Sequence, residues 1–159
     1  MMPPHSPFDE TEPARIAEQL RRMYHGPAWH GPALKELLDG VAEGQAASRP
    51  LPNAHSIWEL VLHITAWVRI GCERLSAAET RDASEAENWP EVTGSWQDAL
   101  AALDLENREF ERAIRAFPED RLNDPAPGTE PQTYYILLHG VVQHIAYHAG
   151  QIGLLKTAS

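Results

Sequence analysis

The stretch that most constrains this chain is residues 133–156, TYYILLHGVVQHIAYHAGQIGLLK. It is long and apolar, and Ile136, Leu137, Val141, Ile145, Ile152 and Leu155 recur along it at helical spacing. His144 and His148 interrupt that apolar surface rather than a charged one. Residues four apart on an α-helix lie about 40° apart and one turn up, so both imidazoles project from one face. Gly140, Gly150 and Gly153 each cost about 1 kcal/mol relative to Ala in a helix interior. Three in one helix predict that another backbone, or a ligand, approaches closely.

A second apolar stretch covers residues 56–75. Ser56 and Glu59 have the spacing of a capping box, so a helix starts at Ser56. Its apolar residues form a band broad enough for burial on more than one side. His63 lies in this band, with Glu59 one turn before it and Trp67 one turn after it.

The remaining segments supply two more helices. Thr11 can cap a first helix, with Pro13 tolerated in its first turn. Gly26-Pro27 interrupts it, and Pro32 can reopen it over ALKELLDGV. Residues 12–43 are therefore expected as one interrupted helix, or two at an angle, with a break near residues 26–31. A helical turn is possible at residues 43–47, inside the loop that leads to Asn53. Ser95 caps the third helix, which runs to about Phe117 and is stopped by Pro118. Its other face carries Glu106, Arg108, Glu109, Glu111, Arg112 and Arg115 and is a solvated surface. The polar stretch AAETRDASEAEN and the proline-rich residues 118–131 are expected as loops. Gln132 or Thr133 opens the fourth helix. No alternating strand pattern and no glycine-rich phosphate loop appears. The expected fold is all-α, a four-helix bundle over residues 12–157 after a loose tail, residues 1–11.

Composition narrows the function classes. A net charge of -10 with no Lys/Arg run argues against nucleic-acid partners and anionic lipid surfaces. No apolar run reaches the length of a membrane span. The one cysteine, Cys72, permits no intramolecular disulfide and reads as a small buried hydrophobe. The chain is expected to be cytoplasmic.

Metal sites in helical bundles are built from facing core side chains. His63, His144 and His148 would supply three imidazoles and leave a position open, the usual set for a catalytic zinc site. Imidazole suits other divalent metals too, so zinc or nickel is expected first, with iron or manganese as alternatives. Such an ion lowers the pKa of a bound water from about 15.7 to about 7, and it can equally activate a thiolate. His139, five residues before His144, points about 140° away and is left out. Trp29, His30, Asn53, His55 and Tyr147 are candidates for a rim that shapes a small substrate. Glu59 is a candidate to orient His63, although capping alone explains it. Three readings stay open: an enzyme, a metal-binding or stress-response protein without turnover, and a structural bundle with core histidines.

HSIWELVLHITAW at residues 55–67, with LLHGVVQHIAYHAGQIGLLK at residues 137–156, resembles the DinB/YfiT-like superfamily of metalloenzymes. The resemblance spans nearly the whole chain, including A-W-H-G-P at residues 28–32. It implies a four-helix bundle with His63, His144 and His148 as metal ligands. Some members of this superfamily are thiol S-transferases or isomerases that use mycothiol, bacillithiol or glutathione, and others are hydrolases or damage-inducible proteins. It therefore implies a small-molecule substrate, a low-molecular-weight thiol as a further cofactor, and a homodimer. No cluster for a thiol's carboxylates stands out. Arg49, Arg69 and Arg74 are scattered and read as surface charges.

Overall fold

The computed structural model describes residues 10–77, 81–128 and 130–159. Among them the chain is all-α and has no strand, with only two isolated bridges. The four long helices are α1 (Glu12–His25), α4 (Ile57–Arg74), α6 (Trp96–Arg115) and α7 (Tyr134–Ala158). Three short ones, α2 (Leu34–Leu38), α3 (Glu43–Ala47) and α5 (Glu85–Asn88), lie in the connections. The long helices close a ring in which α1 packs on α6, α6 on α4, α4 on α7 and α7 on α1. Consecutive long helices α1 and α4, like α6 and α7, therefore face each other across a diagonal. One continuous core fills the centre, with Ile16, Leu20, Ile64, Leu103, Phe110, Leu138, Ile145 and Ile152 buried.

Local chemistry sets the helix starts. Thr11, Ser56, Ser95 and Thr133 each accept a first-turn N–H, which answers donors that have no intrahelical partner. Of the tail expected at residues 1–11, residues 1–9 lie outside the described residues, and Thr11 caps α1.

The interrupted first helix differs from expectation at its far end. The break comes at Gly26, whose φ of +88° ends α1. α2 then stops at Leu38 instead of continuing towards residue 43, because Gly40 takes φ +72°. That turn frees the Val41 carbonyl, which accepts the Trp96 indole N–H at 2.8 Å. Lys156 donates to the carbonyls of Leu37 and Asp39, both at 2.8 Å, and ties α2 to the end of α7.

α5 is a helix where a loop was expected. Ser84 and Glu87 cap it reciprocally, and Arg81 grips the Glu87 carboxylate at 2.7 and 2.9 Å. This brings Asn88 and Trp89 against α4.

α4 approaches its neighbours closely at Gly71. A Cβ there would meet Val141 at 3.0 Å and Phe110 at 3.3 Å. The expectation for the glycines of α7 holds only in part. Gly153 sits against Leu37, whereas a Cβ on Gly140 or Gly150 would meet nothing within 4 Å.

Candidate metal centre

α4 and α7 bring His63, His144 and His148 together, and their ligand atoms all lie within 4.8 Å of one another. Nε2 of His144 lies 3.0 Å from Nε2 of His63 and 3.0 Å from Nε2 of His148. Nδ1 of His63 lies 2.6 Å from the Asn88 carbonyl, and Nδ1 of His148 lies 2.6 Å from Gln151 Oε1. Both oxygens only accept, so the protons of these two rings sit on Nδ1. Their Nε2 atoms therefore turn lone pairs inward. His144 has at most one proton on Nε2 for two such neighbours. At least one close contact thus opposes two lone pairs, an arrangement that a cation relieves. A tetrahedral zinc ion with Zn–N bonds of about 2.0–2.1 Å would hold nitrogens about 3.3 Å apart, close to the spacing found. The donor set fits a divalent metal.

Burial keeps all three rings neutral, the form that binds metal. It pushes His144 down to about 3, with the imidazoles of His148 and His63 adding to the effect. Burial also lowers His63 and His148, each partly offset by the oxygen on its Nδ1. Nδ1 of His144 is buried with no partner among the described residues.

A ring of aromatic groups supports the triad. Trp89 stacks on His63 at 3.9 Å and on His55 at 3.6 Å, both at 11°. Trp67 packs its ring 5.8 Å from His144 and donates its indole N–H to Asn88 Oδ1 at 2.8 Å. Asn88 thus holds His63 through its backbone and Trp67 through its side chain. His63 and His144 open onto a cleft of about 500 Å³ that Trp67, Arg74, Gln132 and Gly140 also line.

The other expected residues divide by position. His55 and Asn53 border a smaller cleft with Gln151 and Leu154, next to the partner of His148. Tyr147 presents its ring 5.0 Å from His148 and is largely exposed. Trp29 and His30 lie on the other flank of α7, beside Gln143 and Ala146. Glu59 does not orient His63. Its carboxylate accepts the Ser56 N–H at 2.7 Å and pairs with Arg49. Arg69 is paired loosely with Glu73 at 3.9 Å, but Arg74 lies 5.8 Å over the Trp67 ring at the cleft wall. His139 packs on Tyr135 at 4.4 Å. Cys72 is half-buried, and burial raises its thiol pKa, so it is no ready nucleophile.

Asn88, Trp89 and Gln151 are the residues that reading the sequence missed. Ser84-x-x-Glu87 is itself a capping box, and it was the available signal for α5.

A helical bundle with three convergent, neutral histidines in its core defines a candidate metalloprotein of the DinB type. The family model described as DinB superfamily matches residues 28–152, and the chain belongs to that superfamily. A conserved protein from Enterococcus faecalis, known from a crystal structure, shares the fold with a TM-score of 0.65. It is 13% identical, and the likeness covers 92% of this chain and 94% of that one. None of the curated proteins matches this chain. No helix among the described residues is long and apolar enough to cross a membrane.

Proposed function

We propose that His63, His144 and His148 bind one divalent metal, zinc or nickel in preference to iron or manganese, and that the protein is a cytoplasmic metal-dependent enzyme. The observation that carries this reading is the convergence of three Nε2 atoms, with the Nδ1 atoms of His63 and His148 each facing an oxygen acceptor. Bound there, the ion supplies Lewis acidity, which makes a nucleophile of water or of a low-molecular-weight thiol at neutral pH. The reaction class is attack on a small electrophilic substrate, as in a thiol S-transferase or a hydrolase.

The chain's own residues have separable tasks. Asn88 and Gln151 hold two rings in the ligating tautomer. Trp67 and Trp89 exclude water around the triad and stop the rings from turning. The cleft beside His63 and His144 admits the substrate, and Asn53, His55 and Tyr147 form a rim on the His148 side. An open cleft favours turnover over a purely structural or storage site, which would be closed.

Elemental analysis of the purified protein, before and after loading with zinc or nickel, tests the metal. One equivalent in the wild type and none in His144→Ala is the expected result. Assays with mycothiol, bacillithiol and glutathione on electrophilic substrates, beside ester and amide hydrolysis, test the chemistry. Absence of metal under every loading condition would falsify the reading.

A further inference from the structure

Arg74 is an arginine without a carboxylate. The chain has 23 acidic and 13 basic residues, so acidic partners are in excess. Among the described residues every other arginine stands within ion-pairing distance of an Asp or Glu oxygen. Arg74 has no such partner there. It is half-buried, and it lines the cleft that holds His63 and His144. Its guanidinium lies 5.8 Å from the centre of the Trp67 ring, the outer limit of a cation–π contact, so the ring positions the charge without neutralising it. A half-buried cation left unpaired in an acidic chain calls for an anion from outside.

The fold aims this cation at the histidines. Arg74 follows His63 by eleven residues, so the two lie about 20° apart around α4 and about three turns apart along it. Helical side chains lean towards the helix N-terminus, which turns the guanidinium back along the cleft. A second donor meets it there. A Cβ on Gly128 would stand 3.0 Å from Nε2 of Gln132 and 3.6 Å from Nη1 of Arg74. Gly128 has φ +151°, which favours glycine, and its missing side chain leaves room between the two nitrogens. The Gln132 side-chain amide has no hydrogen-bond partner among the described residues. Between these donors and His144 the walls are apolar, formed by Trp67, Ile136, Leu137 and Val141. The Trp67 ring centre is 5.8 Å from Arg74 and 5.8 Å from the His144 ring, so one indole bridges the two ends of the cleft.

We infer that Arg74 and Gln132 anchor the carboxylate of a small substrate whose apolar or aromatic body lies along Trp67, with its reacting end at the histidine triad. A guanidinium fork matches a carboxylate with two parallel hydrogen bonds, and the amide adds a third donor. Asp82 and Glu130, both exposed, line the same cleft. They oppose a doubly charged phosphate more strongly than a singly charged carboxylate. The apolar walls assign the anchored molecule to the electrophile rather than to a thiol whose carboxylates sit on a polar body. This deepens the proposed metal-dependent reaction and rests on it for the reacting end alone; the anchoring end is measurable without metal.

An NMR titration of the isotope-labelled full chain tests it. The Trp67 indole N–H is followed while phenylacetate, phenylacetamide, phenyl phosphate or S-methylglutathione is added, without metal and with zinc. The wild type is expected to prefer phenylacetate to the amide by about tenfold or more, the scale of a charge-assisted hydrogen bond. Phenyl phosphate and S-methylglutathione are expected to bind more weakly than phenylacetate. In Arg74→Gln the preference over the amide is expected to vanish while amide binding stays the same, which a merely structural role for Arg74 would not produce. Arg74→Lys is expected to fall between, because an ammonium keeps the charge and loses the fork. The preference is expected with and without zinc, so a protein that takes up no zinc sinks the metal reading and leaves this one standing. Equal binding of phenylacetate and its amide, or a preference that survives Arg74→Gln, overturns the proposal. So does tighter binding of phenyl phosphate or of S-methylglutathione, and so does a preference that appears only with zinc, which would put the carboxylate on the metal.

Discussion

Nε2 of His63 and Nε2 of His144 lie 3.0 Å apart, although 81 residues separate them along the chain. Buried His63 and half-buried His144 meet across the packing of α4 on α7, which come close at Gly71 and Val141. Each of the substitutions His63→Ala and His148→Ala removes one of the three convergent ligand nitrogens and leaves two. We expect metal content to fall from stoichiometric to background in each, as measured by elemental analysis. Excess zinc should raise the melting temperature of the wild type and leave the variants unmoved, since only a ligand that binds the folded form shifts stability.

Gln151→Leu leaves the Nδ1 proton of His148 without its acceptor. The ligating tautomer and ring orientation are then no longer enforced. Metal affinity is expected to drop by roughly 10–100-fold, with the helix intact. Competition titration with a chromophoric chelator measures this. An unchanged affinity would show that Gln151 has no positioning role.

Gly71→Val forces a branched side chain into a 3.0 Å gap against Val141. Overpacking of this kind costs about 1–3 kcal/mol. Urea denaturation is the check, and the midpoint should fall. Gly140→Ala places its Cβ in empty space within the chain and should leave the protein at least as stable.

Acid should destabilise the metal-free protein well before its carboxylates respond. The unfolded chain protonates its histidines near 6.5, but burial holds His144 down to about 3 and lowers His63 and His148. Below 6.5 the unfolded state therefore binds more protons, and stability falls with pH through the window from 6.5 towards 3. Glu18 is held near 2 by Arg21 despite the opposing effect of burial, so the stability it contributes is present above its ordinary value of 4.5 and is lost only as pH falls below that. A urea midpoint lower at mildly acidic pH than at neutral pH is expected, and His144→Ala should flatten that dependence.

The sequence by itself determined what is local. Thr11, Ser56, Ser95 and Thr133 mark the starts of the long helices because a side-chain oxygen and a first-turn N–H are neighbours in any fold. The His144–His148 pair was legible for the same reason: four residues make one helical turn. His63 could be assigned to the same site only because two strongly apolar helices must bury their faces together. The tertiary structure decided the rest of what surrounds the triad. Asn88 sits 25 residues from His63 and Trp89 follows it, in a polar stretch with no period, so no pattern connected them to the site. Glu59 lies one helical turn from His63, which suggested a partnership. In the fold its carboxylate is taken by the Ser56 N–H and Arg49, and a backbone carbonyl orients the ring instead. The glycines of α7 show the same division. Their number announced a close approach, but only packing reveals that Gly153 meets Leu37 while Gly140 and Gly150 face outward, because helical phase relative to the core is fixed by the neighbours and not by the helix.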